Sequence, residues 1–193
     1  MNRRREQFSQ VPCKKPPQSI VAFYLGERPD AEGRLIETIW AWGDDELEYV
    51  HDYIQWLFPL TEKSRFNDAA PIVDEETIEA FRTDSRLRER LIISLRLMLR
   101  FYGFQCEESD GGDISIIKSS AYPQRKQNWI SRGNHNFLRL TRIVKSLRLL
   151  GLEDYAQAVF RCLSLIYAEE RGRIGRDSFS FWERAASSST GRA

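Results

Sequence analysis

Cysteine and histidine are scarce in this chain, which holds three of the first and two of the second. Cys13, Cys106 and Cys162 are odd in number, far apart and without a C-x-x-C pair, so neither a disulfide nor a zinc site is expected and the thiols read as reduced. Long apolar runs are missing too: no stretch approaches the ~20 residues of a membrane span. The first residues are basic with no apolar run behind them, which reads as no signal peptide and a soluble, cytoplasmic protein. Charge of one sign is also lacking. Twenty-nine basic residues against 28 acidic ones leave a net charge of +1, which argues against global capture by nucleic acid or anionic lipid. Catalytic signatures are absent: there is no G-x-S-x-G, Walker loop, G-x-G-x-x-G or H-E-x-x-H. Glu75 and Glu76 are adjacent in the first turn of a predicted helix, where acidic residues belong for dipole reasons, and do not read as an acid/base pair. An enzyme is therefore not expected, and neither is a cofactor. A Cys162 or Ser94 nucleophile served by His51 or His135 would need a meeting in space that spacing does not supply.

What is abundant is apolar and aromatic matter. The 193 residues are 41% hydrophobic and 12% aromatic, enough for one sizeable core and hence a single domain. The densest stretch is His51–Leu60, HDYIQWLFPL. Asp44 and Asp45 suit a helix start, Leu47, Val50, Ile54 and Leu57 fall at helical spacing, and Pro59 ends the run. Tyr49, Tyr53, Trp56 and Phe58 fill much of the remaining circumference, so this segment reads as the buried central helix.

Around it the pattern stays helical. Residues 1–18 are basic and proline-bearing and read as a mobile arm. Short helices are predicted over 19–25 and 35–42. Val73, Asp74 and Ile78 fit a staple residue, an N-cap and its apolar partner. Thr83 or Asp84 opens a helix with the stripe Leu87, Leu91, Leu95, Met98 and Tyr102, which Gly103 ends in the left-handed conformation. From Gln105 to Arg125 the periodicity disappears, and ESDGGD marks a flexible excursion with a small hairpin at Ile114–Ile117. Asn134, His135 and Asn136 offer N-caps for a helix burying Leu140, Ile143, Val144, Leu147 and Leu150. A last long helix follows Gly151, and Phe179, Phe181 and Trp182 suggest one more helical anchor before a polar tail. The fold class is all-α: a single-domain orthogonal or irregular bundle of about six to eight helices with little or no sheet. Its divisions read as an arm at 1–18, a helical domain at 19–171, and a short helix with a disordered tail at 172–193.

Several of these blocks carry a family resemblance. FY at Phe23 and Tyr24, HDYIQWLFPL, SRFNDAAP at Ser64–Pro71, RLRERLIISLRLMLRFYGF at Arg86–Phe104 and HNFLRLTRIVKSLRLLGLE at His135–Glu153 occur together and in order. In these the chain resembles the conserved N-terminal domain of the opioid growth factor receptor family, over roughly residues 20 to 170. The resemblance implies a receptor-like, peptide-binding module, since animal members are non-classical receptors for methionine enkephalin that act in growth regulation. They are found at the nuclear envelope and nucleus, so it also allows nuclear or peripheral membrane association. Vertebrate members carry a long repeat-bearing C-terminal region that these residues do not include. The resemblance supplies no set of ligand-contact residues.

Two groups are candidates for ligand binding. Tyr49, Tyr53, Trp56 and Phe58, joined by Phe23, Tyr24, Phe101 and Tyr102 if the helices converge, read first as core and second as the wall of an apolar or aromatic pocket, with His51 at the start of the same motif. His51, with no metal-ligand partner three or four positions away, reads as a buried histidine bonded to backbone or a carboxylate rather than a ligand to metal. Asn134, His135, Asn136, Arg139 and Arg142 sit at a predicted helix N-terminus, where free amides favour a carboxylate or phosphate; ordinary capping with a solvated basic face is the plainer reading. Arg86, Arg90, Arg96 and Arg100 make a similar stripe, which ion pairs explain more simply than nucleic acid. The classes left open are a peptide receptor, a domain binding a small metabolite or protein partner, and a nucleic-acid-associated helical protein.

Overall fold

The structure is a computed structural model that describes residues 20–64 and 67–187. The arm expected at 1–18 and the residues after 187 lie outside that range. Ten helices and one two-stranded sheet are found among the described residues. Four short helices come first: α1 (Ile20–Tyr24), α2 (Ile36–Trp40), α3 (Asp44–Tyr49) and α4 (Tyr53–Leu57). Two better-capped ones follow. In α5 (Glu75–Thr83) the Asp74 carboxylate accepts the Thr77 amide at 2.9 Å, with Val73 and Ile78 both buried across the cap. In α6 (Ser85–Tyr102) the Asp84 carboxylate accepts from the Arg86 amide at 2.9 Å, and the expected stripe from Leu87 to Tyr102 is buried.

Gly103 ends α6 at φ 82°, and a Cβ there would stand 2.7 Å from the Tyr122 Cα, so conformation and space both require glycine. The chain then forms β1 (Phe104–Glu108) and β2 (Ile114–Lys118), antiparallel with Phe104 opposite Lys118 and Glu108 opposite Ile114. The rest of the expected excursion is ordered differently. Residues 122–129 form a helix, α7 (Tyr122–Trp129), with Pro123 in its first turn. Only Tyr122 and Trp129 are buried in it, one at each end, so it has no apolar stripe to show.

The remaining helices are α8 (Asn136–Leu149), α9 (Glu153–Ile174) and α10 (Arg176–Ser187). They pack on one another, and the hairpin lies against α9 and the end of α6. An aromatic chain crosses the core through edge contacts from Phe104 to Trp129, Phe137 and Trp182. Its polar tips are satisfied: Trp129 Nε1 donates to the Tyr102 carbonyl at 3.2 Å and Trp182 Nε1 to that of Phe137 at 3.0 Å.

One expectation is corrected. Residues 44–58 are not one helix but two, broken at Val50–Asp52, where Val50 is extended at ψ 133°. The predicted apolar positions Leu47, Ile54 and Leu57 are still buried, while Tyr49 is 79% exposed rather than part of the core. The break turns Tyr49 and His51 outward and hands a set of backbone carbonyls to side chains elsewhere.

Candidate functional site

Those carbonyls are taken by α8. Asn136, Arg139, Arg142 and Ser146 repeat every three or four residues and so share one face of the helix. Arg139 Nη1 donates to the Leu47 carbonyl at 2.7 Å, and its Nη2 to those of Glu48 at 3.3 Å and Val50 at 2.9 Å. The Leu47 and Glu48 carbonyls are among the last of α3, unpaired within the helix and favourable to a cation, and that of Val50 opens the break. Arg142 does the same at the end of α4, donating to the Phe58 carbonyl at 3.1 Å, and Ser146 Oγ donates to that of Pro59 at 2.9 Å. Burial lowers the pKa of the Arg142 guanidinium, against an opposing pull from Glu62. Arg139 is 5% exposed and lies 5.5 Å from the Tyr53 ring centroid. Asn136 is fully buried; its Oδ1 accepts from the Tyr102 hydroxyl at 3.2 Å and its Nδ2 donates to Glu48 Oε2 at 3.1 Å.

The other side of the break is pinned as well. Arg34 reaches both Asp52 oxygens, at 3.2 and 2.7 Å, while its Nε pairs with the buried Asp30 at 2.7 Å and its guanidinium lies over Trp42. His51 therefore stands between two residues that are each held by an arginine from a distant part of the chain.

On the outer side of this junction the two histidines meet. The His51 and His135 rings stack with centroids 5.0 Å apart and planes 20° apart. His51 is exposed, not buried as expected, and its Nδ1 lies 2.8 Å from the Tyr49 carbonyl. His135 Nε2 is 3.6 Å from Glu48 Oε1 and has no hydrogen-bond partner. The His135 pKa is lowered, by burial first and by the Arg139 charge next; Glu48 opposes this and His51 adds to it. A neutral imidazole is thus kept at this corner near neutral pH. Glu48 adds a carboxylate to the two imidazoles, and Tyr49, whose carbonyl meets His51 Nδ1, projects its phenol ring into solvent next along the chain. Such a set can stack an aromatic group and accept hydrogen bonds from an amine.

The structure separates the sequence candidates. Tyr53, Trp56 and Phe58 are each 1% exposed or less, and the Tyr53 hydroxyl donates to the Leu47 carbonyl at 2.9 Å. Asn134 acts as a cap: its Oδ1 accepts the Asn136 amide at 2.9 Å, while Nδ2 donates to the Asn128 carbonyl. Asn136, Arg139 and Arg142 face backbone and core. His51 and His135 come together at the surface. Sequence reasoning missed Glu48 and read Tyr49 as core, because the helical pattern runs unbroken through residues 50–52. No group of three or more His, Cys, Asp or Glu among the described residues is placed to hold a metal ion.

The chain is thus a single helical domain in which one long helix clamps a broken aromatic segment and presents an imidazole pair beside it. A family model for the opioid growth factor receptor (OGFr) conserved region matches residues 17–191, and the chain belongs to that family. It is similar to the rat opioid growth factor receptor, with 43% identity over 147 residues covering 73% of this chain and 24% of the rat protein. The human opioid growth factor receptor is 40% identical over 145 residues, covering 73% of this chain and 21% of its own length. The opioid growth factor receptor-like protein 1 of Xenopus tropicalis is 34% identical over 137 residues, 69% of this chain and 26% of that protein. The chain therefore spans about a quarter of the length of these relatives. No solved structure matches it. No helix among the described residues is long and apolar enough to cross a membrane.

Proposed function

We propose that this domain is a receptor-like binding module whose ligand is a short peptide taken up at the corner of Glu48, Tyr49, His51 and His135. The observation that carries this reading is the stacked pair His51–His135, assembled from two distant segments and left at the surface. Its setting supports it: Arg139 holds the Val50 carbonyl and Arg34 the Asp52 carboxylate on either side of His51, so the corner is organised before a ligand arrives. The relatives named as opioid growth factor receptors agree with a receptor-like role, and methionine enkephalin, the peptide that the family resemblance implies, presents an amine and aromatic rings. Glu48 would take the amine, and Tyr49 with the imidazoles would take a ring.

A solution role without catalysis fits the same features. Ser94 Oγ accepts from Trp40 Nε1 at 2.9 Å and donates to the Arg90 carbonyl at 3.2 Å, and burial pushes the Cys162 thiol up to about 11. Neither is a ready nucleophile. The metabolite reading is weakened by Tyr53, Trp56 and Phe58 being packed core, and the nucleic-acid reading by Arg139 and Arg142 being spent on backbone.

Calorimetric titration with methionine enkephalin, the peptide that the family resemblance implies, against a composition-matched scrambled peptide tests the proposal. Saturable heat from the true peptide alone is expected, weakened at least about tenfold in Tyr49→Ala and His51→Ala. Silence with both peptides sinks the peptide reading; binding that ignores both substitutions moves it away from this corner.

A further inference from the structure

A second feature lies away from this corner, where α9 turns into α10. The backbone of α9 leaves helical geometry at Glu170, and Gly175 at φ 78° reverses the chain. The turn leaves a cavity of about 330 Å³ lined by Tyr167, Arg171, Arg176, Phe179, Ser180 and Glu183. That volume is at the lower end of small-molecule sites.

Its walls are ordered. The Tyr167 and Phe179 rings lie 4.1 Å apart with planes 7° apart, and Phe160 stacks behind Phe179 at 6.1 Å. The Arg171 guanidinium continues the column over Tyr167, 5.7 Å from its centroid. Stacking restrains a guanidinium yet leaves its in-plane N–H donors free. Arg171 and Arg176 have no carboxylate within 4.0 Å and no hydrogen-bond acceptor among the described residues. Nearby arginines differ: Arg173 pairs with Glu170 at 3.8 Å and Arg148 with Glu153 at 2.9 Å. The two free guanidinium groups thus line one cavity, beside an aromatic stack.

We propose that this cavity binds a small molecule carrying a carboxylate or a phosphate on a planar ring. The two arginines take the anionic group through their N–H donors, and the ring packs against the edges of Tyr167 and Phe179, whose faces are already taken by each other, by Phe160 and by Arg171. Glu183 on the same wall limits the negative charge that is accepted and offers an acceptor to a ring hydroxyl or amine.

The test is an amide NMR titration of the full chain with phenyl phosphate, benzoate, inorganic phosphate and benzyl alcohol, repeated on Arg171→Gln and Arg176→Gln. Both arginines are exposed, so the variants keep the fold, and a thermal melt checks this. The expected result is saturable shifts around residues 167–183 from phenyl phosphate or benzoate, with Kd raised at least about tenfold in either variant. Which of the two anions binds tighter identifies the headgroup. The proposal is overturned if neither anion binds, if the variants bind as the parent does, or if inorganic phosphate or benzyl alcohol binds as well as the ring-bearing anions.

Discussion

The segment from Asp44 to Leu60 has two halves with opposite fates. From Tyr53 to Phe58 the aromatic side chains are sealed in the core, while Tyr49 and His51, a few residues earlier, stand in solvent. The first half carries the acidic residues Asp44, Asp45, Glu46, Glu48 and Asp52 and the second carries none, and the break at Val50–Asp52, with the arginines that hold it open, falls between them. A motif dense in aromatic residues can thus serve fold and surface at once, and the dividing line is drawn by a helix far along the chain. The change that most damages the buried half is Trp56→Ala. Trp56 is 1% exposed and contacts Phe23 with centroids 5.1 Å apart, so its loss should cost about 3–5 kcal/mol in urea unfolding. A loss under 1 kcal/mol would mean that this half is not the core it is taken for.

Next in size is Arg139→Met, which keeps much of the volume and removes the clamp. The Leu47 carbonyl would keep the Tyr53 hydroxyl, but those of Glu48 and Val50 would lose their arginine. An unsatisfied buried carbonyl costs about 1–3 kcal/mol and these two are only part-buried, so a loss of about 1–3 kcal/mol in all is expected. Arg139→Lys should restore less than half of it, because one ammonium cannot span acceptors that the planar fork reaches together. Full rescue by lysine would show that charge at the end of α3, and not the fork, holds the break.

Much of this fold is legible in the sequence where local chemistry decides it. Asp74 and Asp84 cap the helices that they precede, Gly103 takes the left-handed turn, and the stripe from Leu87 to Tyr102 is buried as its spacing says. Two things are not legible. Helix α7 buries only its two ends, so it carries no periodicity. The break after Tyr49 runs against an intact helical pattern and exists because Arg139 and Arg34, both remote in sequence, compete successfully for the backbone and the Asp52 side chain. The candidate site inherits the same limit. His51 and His135 can be picked out by rarity, but their stacking, and the roles of Glu48 and Tyr49, depend on long-range contacts that no spacing encodes.

A smaller effect sits on the boundary between the halves. The folded state holds the His135 pKa below its ordinary value of 6.5, so the unfolded chain binds more protons as the pH falls through that value. The neutral ring's contribution is present above pH 6.5 and is lost as the pH falls from there through the lowered folded value. The groups facing His135 are Glu48, His51 and Arg139, and the first of these softens the effect. The urea midpoint should therefore fall between pH 7 and pH 5.5 by more in the parent than in His135→Gln, which cannot titrate. Equal falls in the two proteins would place the imidazole in a solvent-like setting and remove the electrostatic distinction drawn for this corner.

The smallest expected effect on stability is the most telling for function. Tyr49 is 79% exposed, and His51 is exposed with its stack on His135 lying at the surface. Tyr49→Ala and His51→Ala should each change unfolding free energy by no more than about 0.5 kcal/mol. A residue that can be lost at so little cost to the fold is one whose bulk answers to something outside it. If either substitution destabilises the domain by as much as Arg139→Met does, the outer half of the segment belongs to the core after all, and the contrast with Tyr53, Trp56 and Phe58 disappears. If both are neutral to folding while peptide binding weakens at least about tenfold, the two halves have been separated by experiment into one that builds the domain and one that the domain exists to present.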